Sequence, residues 1–270
     1  MYYQSTRGAS APVNSAQAVL KGLADDGGLY MMNELPAFDW QACLKGTSMD
    51  MATMILSALL PDIPNMPELV KKAYTGKFET EDLTPTVPVG DFHVLELFRG
   101  PTSAFKDVAL SMLPQLMTAA KNAKGEKEDI LILTATSGDT GKAALEGFKD
   151  VKGTRIMVFY PKDGVSAVQE AQMVTQEGGN VAVCAVRGNF DDAQTGVKNI
   201  FAACQGKDLP FRLSSATSIN IGRLAPQIMY YFRSYRDLLD RGVISLGDKV
   251  NFSVPTGNFG DILAGFLAKL

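Results

Sequence analysis

From residue 130 onward the chain alternates short β-branched or apolar runs with stretches of helical period: residues 130–134, then 141–148, 155–160, 166–176 and 181–186. Such alternation predicts an α/β fold, with βαβ units around a mainly parallel sheet and flanking helices. Residues 226–239 read as a further helix, rich in Met229, Tyr230, Tyr231 and Phe232, and residues 250–254 as another buried strand. The N-terminal third has a different texture. Asn14 caps an apolar-periodic run that starts at Ser15, a second helical run extends from Asp50 to Leu60, and Pro61, Pro64 and Pro67 end it. Neither a helix nor a central strand tolerates the prolines of Leu83-Thr84-Pro85-Thr86-Val87-Pro88. The chain is therefore expected to divide there, into a small, mostly helical N-terminal domain (1–85) and an α/β domain (86–270). One position conflicts with its surroundings. Pro114 interrupts the helical pattern after Lys106, at about 3 kcal/mol if truly interior, so that helix is expected to kink or restart there.

Composition narrows the function classes. With 46% hydrophobic and 20% charged residues among 270, the chain has the make-up of an ordinary globular protein with material for a large core. A formal net charge of -3 provides no basic surface for nucleic acid or an anionic membrane, which leaves a small molecule as the expected ligand. No apolar run reaches membrane-spanning length, and the opening Met1-Tyr2-Tyr3-Gln4-Ser5-Thr6-Arg7-Gly8 lacks the order of a signal peptide, so a cytoplasmic location is expected. Cys43, Cys184 and Cys204 are far apart and without metal-ligand spacing, and the single histidine, His93, precludes multi-histidine metal sites. No metal site is expected. His93 lies in a strand-like segment and reads as structural.

Three loops and one lysine carry the chemistry. Gly100-Pro101-Thr102-Ser103-Ala104-Phe105-Lys106-Asp107 is a turn-forming run that delivers a lysine into apolar company where a helix begins. Burial disfavours the ammonium form, and a free amine condenses with an aldehyde to give a Schiff base. A lysine at a helix start is equally a common solvated surface charge. Thr136-Ser137-Gly138-Asp139-Thr140-Gly141 joins a predicted strand to a predicted helix, where backbone N–H groups and hydroxyls can converge on an anion. The same residue types also make a plain turn with caps. Thr256-Gly257-Asn258-Phe259-Gly260-Asp261 repeats the arrangement and suits a phosphate, although it matches neither the P-loop nor the dinucleotide fingerprint. In Ser214-Ser215-Ala216-Thr217-Ser218-Ile219-Asn220-Ile221-Gly222-Arg223, the arginine can grip a phosphate or carboxylate in bidentate fashion, or pair with a neighbouring acid.

Taken together, these segments resemble the threonine synthase family of fold-type II pyridoxal-phosphate enzymes, whose fold is tryptophan synthase β-like. The resemblance covers nearly the whole chain and is carried by Tyr3-Gln4-Ser5-Thr6-Arg7-Gly8, Ala104-Phe105-Lys106-Asp107, Ser137-Gly138-Asp139-Thr140-Gly141, Tyr160-Pro161-Lys162-Asp163-Gly164-Val165-Ser166, Gly188-Asn189-Phe190-Asp191-Asp192-Ala193 and Pro255-Thr256-Gly257-Asn258-Phe259-Gly260-Asp261. It implies that Lys106 is the catalytic lysine that joins the cofactor aldehyde. By the same resemblance Gly257, Asn258, Phe259 and Gly260 hold the phosphate of pyridoxal 5'-phosphate. Ser137, Asp139 and Thr140 fall where relatives contact the substrate carboxylate and the ring hydroxyl, although many relatives carry Asn where this chain has Asp139. Ser218, Asn220 and Arg223 match the segment that grips the substrate phosphate. The implied lyase reaction converts O-phospho-L-homoserine and water into L-threonine and phosphate, in threonine biosynthesis. Two alternatives stand beside it: another fold-type II lyase, such as a threonine dehydratase or a phospholyase giving 2-oxobutyrate, and a non-catalytic module that keeps the fold. The chain stops at Leu270 inside an apolar helical run, so a longer protein carrying the remaining strands and the partner of the ring nitrogen is expected. The oligomeric state is left open.

Overall fold

The computed structural model describes residues 1–204 and 206–270. The N-terminal region opens with β1 (Tyr3–Ser5), α1 (Ser15–Lys21) and β2 (Tyr30–Met32), and β2 pairs antiparallel with β1. Asn14 caps α1 as its sequence implies: its side chain accepts from the Gln17 amide at 2.8 Å, and the Gln17 side chain returns to the Asn14 amide. Next come α2 (Trp40–Cys43), α3 (Ser48–Leu59), which is capped reciprocally by Thr47 and Asp50, and α4 (Met66–Tyr74), with Pro67 in its first turn. β3 (Thr86–Val89) and β4 (Phe92–Leu95) then form a two-stranded antiparallel ribbon in which Pro88 faces His93. A ribbon of two strands has only edges, which is why it accommodates Pro88. His93 is exposed on it.

The remaining elements are α5 (Asp107–Ala123), β5 (Asp129–Ala135), α6 (Asp139–Phe148), β6 (Thr154–Pro161), α7 (Ala167–Val174), β7 (Val181–Val186), α8 (Phe190–Cys204), β8 (Phe211–Ser214), α9 (Ile221–Leu224), α10 (Ile228–Asp240) and α11 (Gly260–Lys269). A 3-10 turn, Ala225–Gln227, joins α9 to α10. Four strands make an all-parallel sheet in the order β7-β6-β5-β8, the α/β arrangement expected from the alternation. The chain builds outward from β5 through β6 to β7, then returns to place β8 on the other side of β5. Beyond the carboxyl end of β5 the winding therefore reverses, and such a switch point opens a crevice between the loops that follow the two neighbouring strands. Those loops are 136–138, after β5, and 215–220, after β8.

α5 is buried along most of its length, with α1, α4, α6 and α9 packed around it. A single apolar core runs from Tyr3 through Val19, Leu56, Leu110 and Ile132 to Ala264, with residues from the N-terminal region and the sheet alike. The helix neither restarts nor breaks at Pro114. Proline there denies the Leu110 carbonyl its usual donor four residues on. α6 crosses at that carbonyl with Gly147, whose bare Cα comes so near that a side-chain Cβ would overlap the Leu110 oxygen. The missing hydrogen bond and the missing side chain thus fall at one helix crossing. The expected strand at 250–254 is not formed: those residues pair with no other strand. The segment is held by side chains from α10 instead, with Tyr231 edge-on to Phe252 at 4.9 Å and the Tyr235 hydroxyl donating to the Asp248 carbonyl at 3.2 Å. Among the described residues, no helix is long and apolar enough to cross a membrane.

Candidate active site

Lys106 occupies the N-cap position of α5, and the turn before it is closed by Asp107. The Asp107 carboxylate accepts from the Thr102 amide at 2.8 Å and from the Thr102 hydroxyl, while Ser103 takes a left-handed φ of 57°. Burial pushes the Asp107 carboxyl above the usual carboxylate range, and the Thr102 hydrogen bonds oppose that shift. On the far side, the buried Tyr230 hydroxyl of α10 donates to the Phe105 carbonyl, so the peptide that carries Lys106 is fixed from two directions. The lysine side chain is 14% exposed and its Nζ lies 4.3 Å from the Phe105 ring centre. Its amine does not end in a purely apolar wall as the sequence suggested: Nζ donates to both carboxylate oxygens of Asp139, at 2.7 and 2.9 Å.

Asp139 begins α6 at the switch point. The loop before it is folded by Thr136, whose hydroxyl accepts from the Gly138 and Gly141 amides at 3.2 and 3.0 Å and donates to the Gly138 carbonyl at 2.9 Å. Two of its glycines are close-approach positions. A Cβ on Gly141 would crowd Thr136, Met173 and Val158, and one on Gly138 would lie 3.3 Å from Gln169 Nε2. Ser137 is exposed, and Asp139 and Thr140 are half-buried on the first turn of α6.

The segment after β8 supplies the cation. Arg223 is only 3% exposed, and one guanidinium nitrogen donates to the Ala216 carbonyl at 2.5 Å. Its Nε is buried without a partner, and among the described residues no carboxylate forms an ion pair with it. The alternative in which this arginine is neutralised by a neighbouring acid is thus not realised. Burial lowers its pKa to about 10, against the pull of the Asp139 carboxylate, which favours the cation. Asp139 therefore lies under the influence of two cations, in contact with one and within electrostatic reach of the other. Ser218 is exposed and faces the 256–260 loop, its Cβ 3.8 Å from where a Gly260 side chain would begin. Asn220 has a structural role: its Oδ1 accepts from the Gly222 amide at 2.8 Å, capping α9, and its Nδ2 donates to the Val19 carbonyl at 3.1 Å. Its side chain is wholly buried in that task.

Gly257, Asn258 and Phe259 form an exposed loop that leads into α11 at Gly260. Space is open where a Gly257 side chain would stand. Asp261, in the first turn, is raised above the usual carboxylate range by burial, and its carbonyl accepts from the Tyr231 hydroxyl at 2.8 Å. The adjacent residues Tyr230 and Tyr231 thus hold the lysine turn and the start of α11 respectively. A hollow of about 880 Å³ lies elsewhere: it is walled by Leu35, Phe38, Trp40, Phe252, Ile262 and Phe266 and touches none of Lys106, Asp139 and Arg223.

Residues 2–74 match the family model described as threonine synthase N terminus. Threonine synthase of Schizosaccharomyces pombe is 40% identical over 284 residues, covering 99% of this chain and 54% of that protein. The Pseudomonas aeruginosa enzyme is 39% identical, covering 100% and 57%. The crystal structure of PLP-bound threonine synthase from Brucella melitensis superposes with a TM-score of 0.86 at 38% identity, over 100% of this chain and 57% of that one. Over its whole length the chain is similar to threonine synthases. It spans a little over half the length of these relatives.

Tyr230 was missed in the sequence. Nothing distinguishes it there from the other aromatic positions of α10, and only the helix packing shows that its hydroxyl meets the backbone beside Lys106.

Proposed function

We propose that the chain carries a threonine synthase active site, holding pyridoxal 5'-phosphate at Lys106 and acting on O-phospho-L-homoserine and water to yield L-threonine and phosphate. The observation that carries this reading is Arg223, a buried guanidinium with an unpartnered Nε beside the crevice where Lys106 waits. A buried cation that no carboxylate contacts is costly, and an anionic ligand that reaches its unpartnered Nε repays that cost. The residues present fit the cofactor as well. A reachable amine stands at the switch point, and a glycine-bearing loop with open space at Gly257 leads into a helix N-terminus, where unpaired amides favour phosphate.

In this arrangement Lys106 would hold the cofactor covalently, and Gly257, Asn258, Phe259 and Gly260 its phosphate. Bound there, pyridoxal phosphate supplies the electron sink for carbanion chemistry. The chain's own groups then orient ligands and move protons. Once the substrate amine has displaced it from the cofactor, the Lys106 amine would serve as base at the substrate Cα and afterwards as the acid that returns the proton, the expected agent in a sequence whose one histidine is exposed on the β3–β4 ribbon. Asp139, a pure acceptor when ionised, steadies that amine while it carries the proton. Ser137 and Thr140 would take the substrate carboxylate, and Ser218 and Arg223 the phosphate that leaves. Asn220 contributes by fixing the start of α9, so that Arg223 is presented two residues into that helix's first turn.

The test has two parts. Incubation with pyridoxal phosphate, reduction with borohydride and peptide mass spectrometry should place the adduct on Lys106. In a separate, unreduced sample of the loaded chain, addition of O-phospho-L-homoserine should release phosphate and form threonine, followed by NMR. An adduct elsewhere, or none, overturns the assignment of the lysine. Formation of 2-oxobutyrate in place of threonine identifies a different lyase on the same scaffold.

A further inference from the structure

Gln169, on α7, is the residue next to this crevice to which no role has been given. Its place follows from a capping box: the Ser166 hydroxyl accepts from the Gln169 amide at 3.2 Å, and Gln169 Oε1 accepts from the Ser166 amide and hydroxyl, each at 3.2 Å. Because a backbone N–H can only donate, the oxygen of the side-chain amide must point at Ser166 and the nitrogen away from it. That nitrogen is directed against Gly138, where a Cβ would lie 3.3 Å from it. Gly138 stands between Ser137 and Asp139, and Asp139 is bound to the Lys106 amine. Nε2 donates to no protein group among the described residues, and Gln169 as a residue is half-buried. The same face of α7 touches the loop a second time, through Met173 against Gly141. Two glycines therefore let α7 rest on the loop, and the side chain set over the first of them offers two unused N–H donors.

The geometry points to Gln169 as a specificity-determining residue whose amide donates to the α-carboxylate of the amino-acid substrate held on the 137–140 loop. The inference rests on the reading of the site given above. A neutral donor suits this place. It adds hydrogen bonds for a carboxylate without adding a third cation around Asp139, and its capping bonds fix its rotamer before ligand arrives, which lowers the ordering cost of binding. The phosphate end of the substrate is assigned to Arg223, so Gln169 should discriminate by the carboxylate alone.

Gln169→Glu is the decisive variant. Glutamate at this position completes a capping box as well as glutamine does, so α7 and its contact with the loop are retained, while the two donors become an anion. Calorimetric titration of the pyridoxal-phosphate-loaded chain would use two probes: O-phospho-L-homoserine, and 3-aminopropyl phosphate, which lacks the carboxylate. Gln169→Glu should weaken the first about tenfold or more and leave the second unchanged, with the thermal unfolding midpoint unaltered. Gln169→Ala, which removes the donors and adds no charge, should show the same selectivity with smaller amplitude. Equal weakening of both probes, or no weakening of either, overturns the assignment. Failure of the parent chain to bind either probe overturns the reading of the site itself, and this inference with it.

Discussion

Lys106 Nζ lies 2.7 and 2.9 Å from the two carboxylate oxygens of Asp139, although 33 residues separate them. The lysine is brought by the start of α5 and the aspartate by the start of α6, two helices packed side by side through Gly147. Asp139 also favours the Arg223 cation, so one carboxylate answers two positive groups. Replacing it with Asn leaves both cations in the crevice. Asp139→Asn should therefore tighten binding of inorganic phosphate, by roughly fivefold at low salt and less at 0.5 M salt, because the change is a long-range charge effect that ions screen. Since Asp139 is 49% exposed, the lost ion pair should cost less than about 1 kcal/mol of stability. Phosphate titration at two ionic strengths checks the sign, and weaker binding in the variant would show that Asp139 instead positions the loop.

Arg223 gives the opposite case, a residue kept at some expense to the fold. Burial holds its pKa down to about 10, so near neutrality the buried group is still charged and its burial opposes folding. Arg223→Met removes that charge at similar volume but loses the hydrogen bond to the Ala216 carbonyl. The two effects offset, and the unfolding free energy should change by no more than about 1 kcal/mol in either direction. Ligand dependence is where the variant should differ. Millimolar phosphate should raise the thermal midpoint of the parent chain and leave that of Arg223→Met unmoved. A variant still stabilised by phosphate would place the anion elsewhere.

Much of this arrangement was legible because it depends on periodicity and on residues whose chemistry is local. The alternation from 130 to 186 gave the parallel strands, and the Asn14 and Ser166 caps stand at helix starts as their residue types require. Residues 250–254 failed because Val250, Phe252 and Val254 alternating with Asn251 and Ser253 state only that a segment can pair. Whether it does depends on a neighbouring strand, and here Tyr231 and Tyr235 hold the segment instead. Asn220 shows a second limit. In a loop of serines, threonines and asparagines, side chains that cap a helix and side chains that bind a ligand are the same residue types, and only the Val19 and Gly222 contacts separate the two. Pro114 shows a third: its cost depends on what faces the Leu110 carbonyl, and that is a glycine 33 positions further along the chain.

That crossing gives a stability prediction with an internal control. Gly147→Ala puts a Cβ into the Leu110 backbone carbonyl, which no rotamer change can relieve, so α5 and α6 must separate. Overpacking of this kind should cost about 1–3 kcal/mol, with the urea midpoint falling accordingly. Gly196 sits in α8 with nothing within reach of a new Cβ. Gly196→Ala should raise stability by about 0.5–1 kcal/mol, since alanine loses less backbone entropy in a helix than glycine. The same substitution is thus expected to have opposite signs at two helical glycines. Equal effects would show that the close approach of Gly147 to Leu110 does not constrain the core.

The N-terminal region has its own pH signature, centred on Asp26. Its carboxylate accepts from the Ser5 hydroxyl at 2.6 Å and from the amides of Ala9, Ser10 and Gly28 at 2.9, 3.0 and 3.0 Å, joining the turn after β1 to the loop before β2. The Ser5 hydrogen bond, and after it the backbone amides, hold this carboxyl well below the usual carboxylate range, with partial desolvation opposing them. A carboxyl whose folded pKa is depressed adds stability that is fully present above its unfolded pKa, near 4, and is lost as pH falls toward the folded value. Asp26→Asn cannot accept this set of bonds with a charge at any pH. The parent should therefore be more stable than the variant at pH 7 and pH 5, and the gap should shrink steadily below about pH 4 as protons reach the parent's carboxylate. Other carboxyls titrate in both proteins, so the quantity to follow is the difference between their urea midpoints at each pH. A difference that stays constant from pH 7 to pH 3 would mean that the side chain's shape, and not its ionised acceptors, ties the β1 turn to the β2 loop.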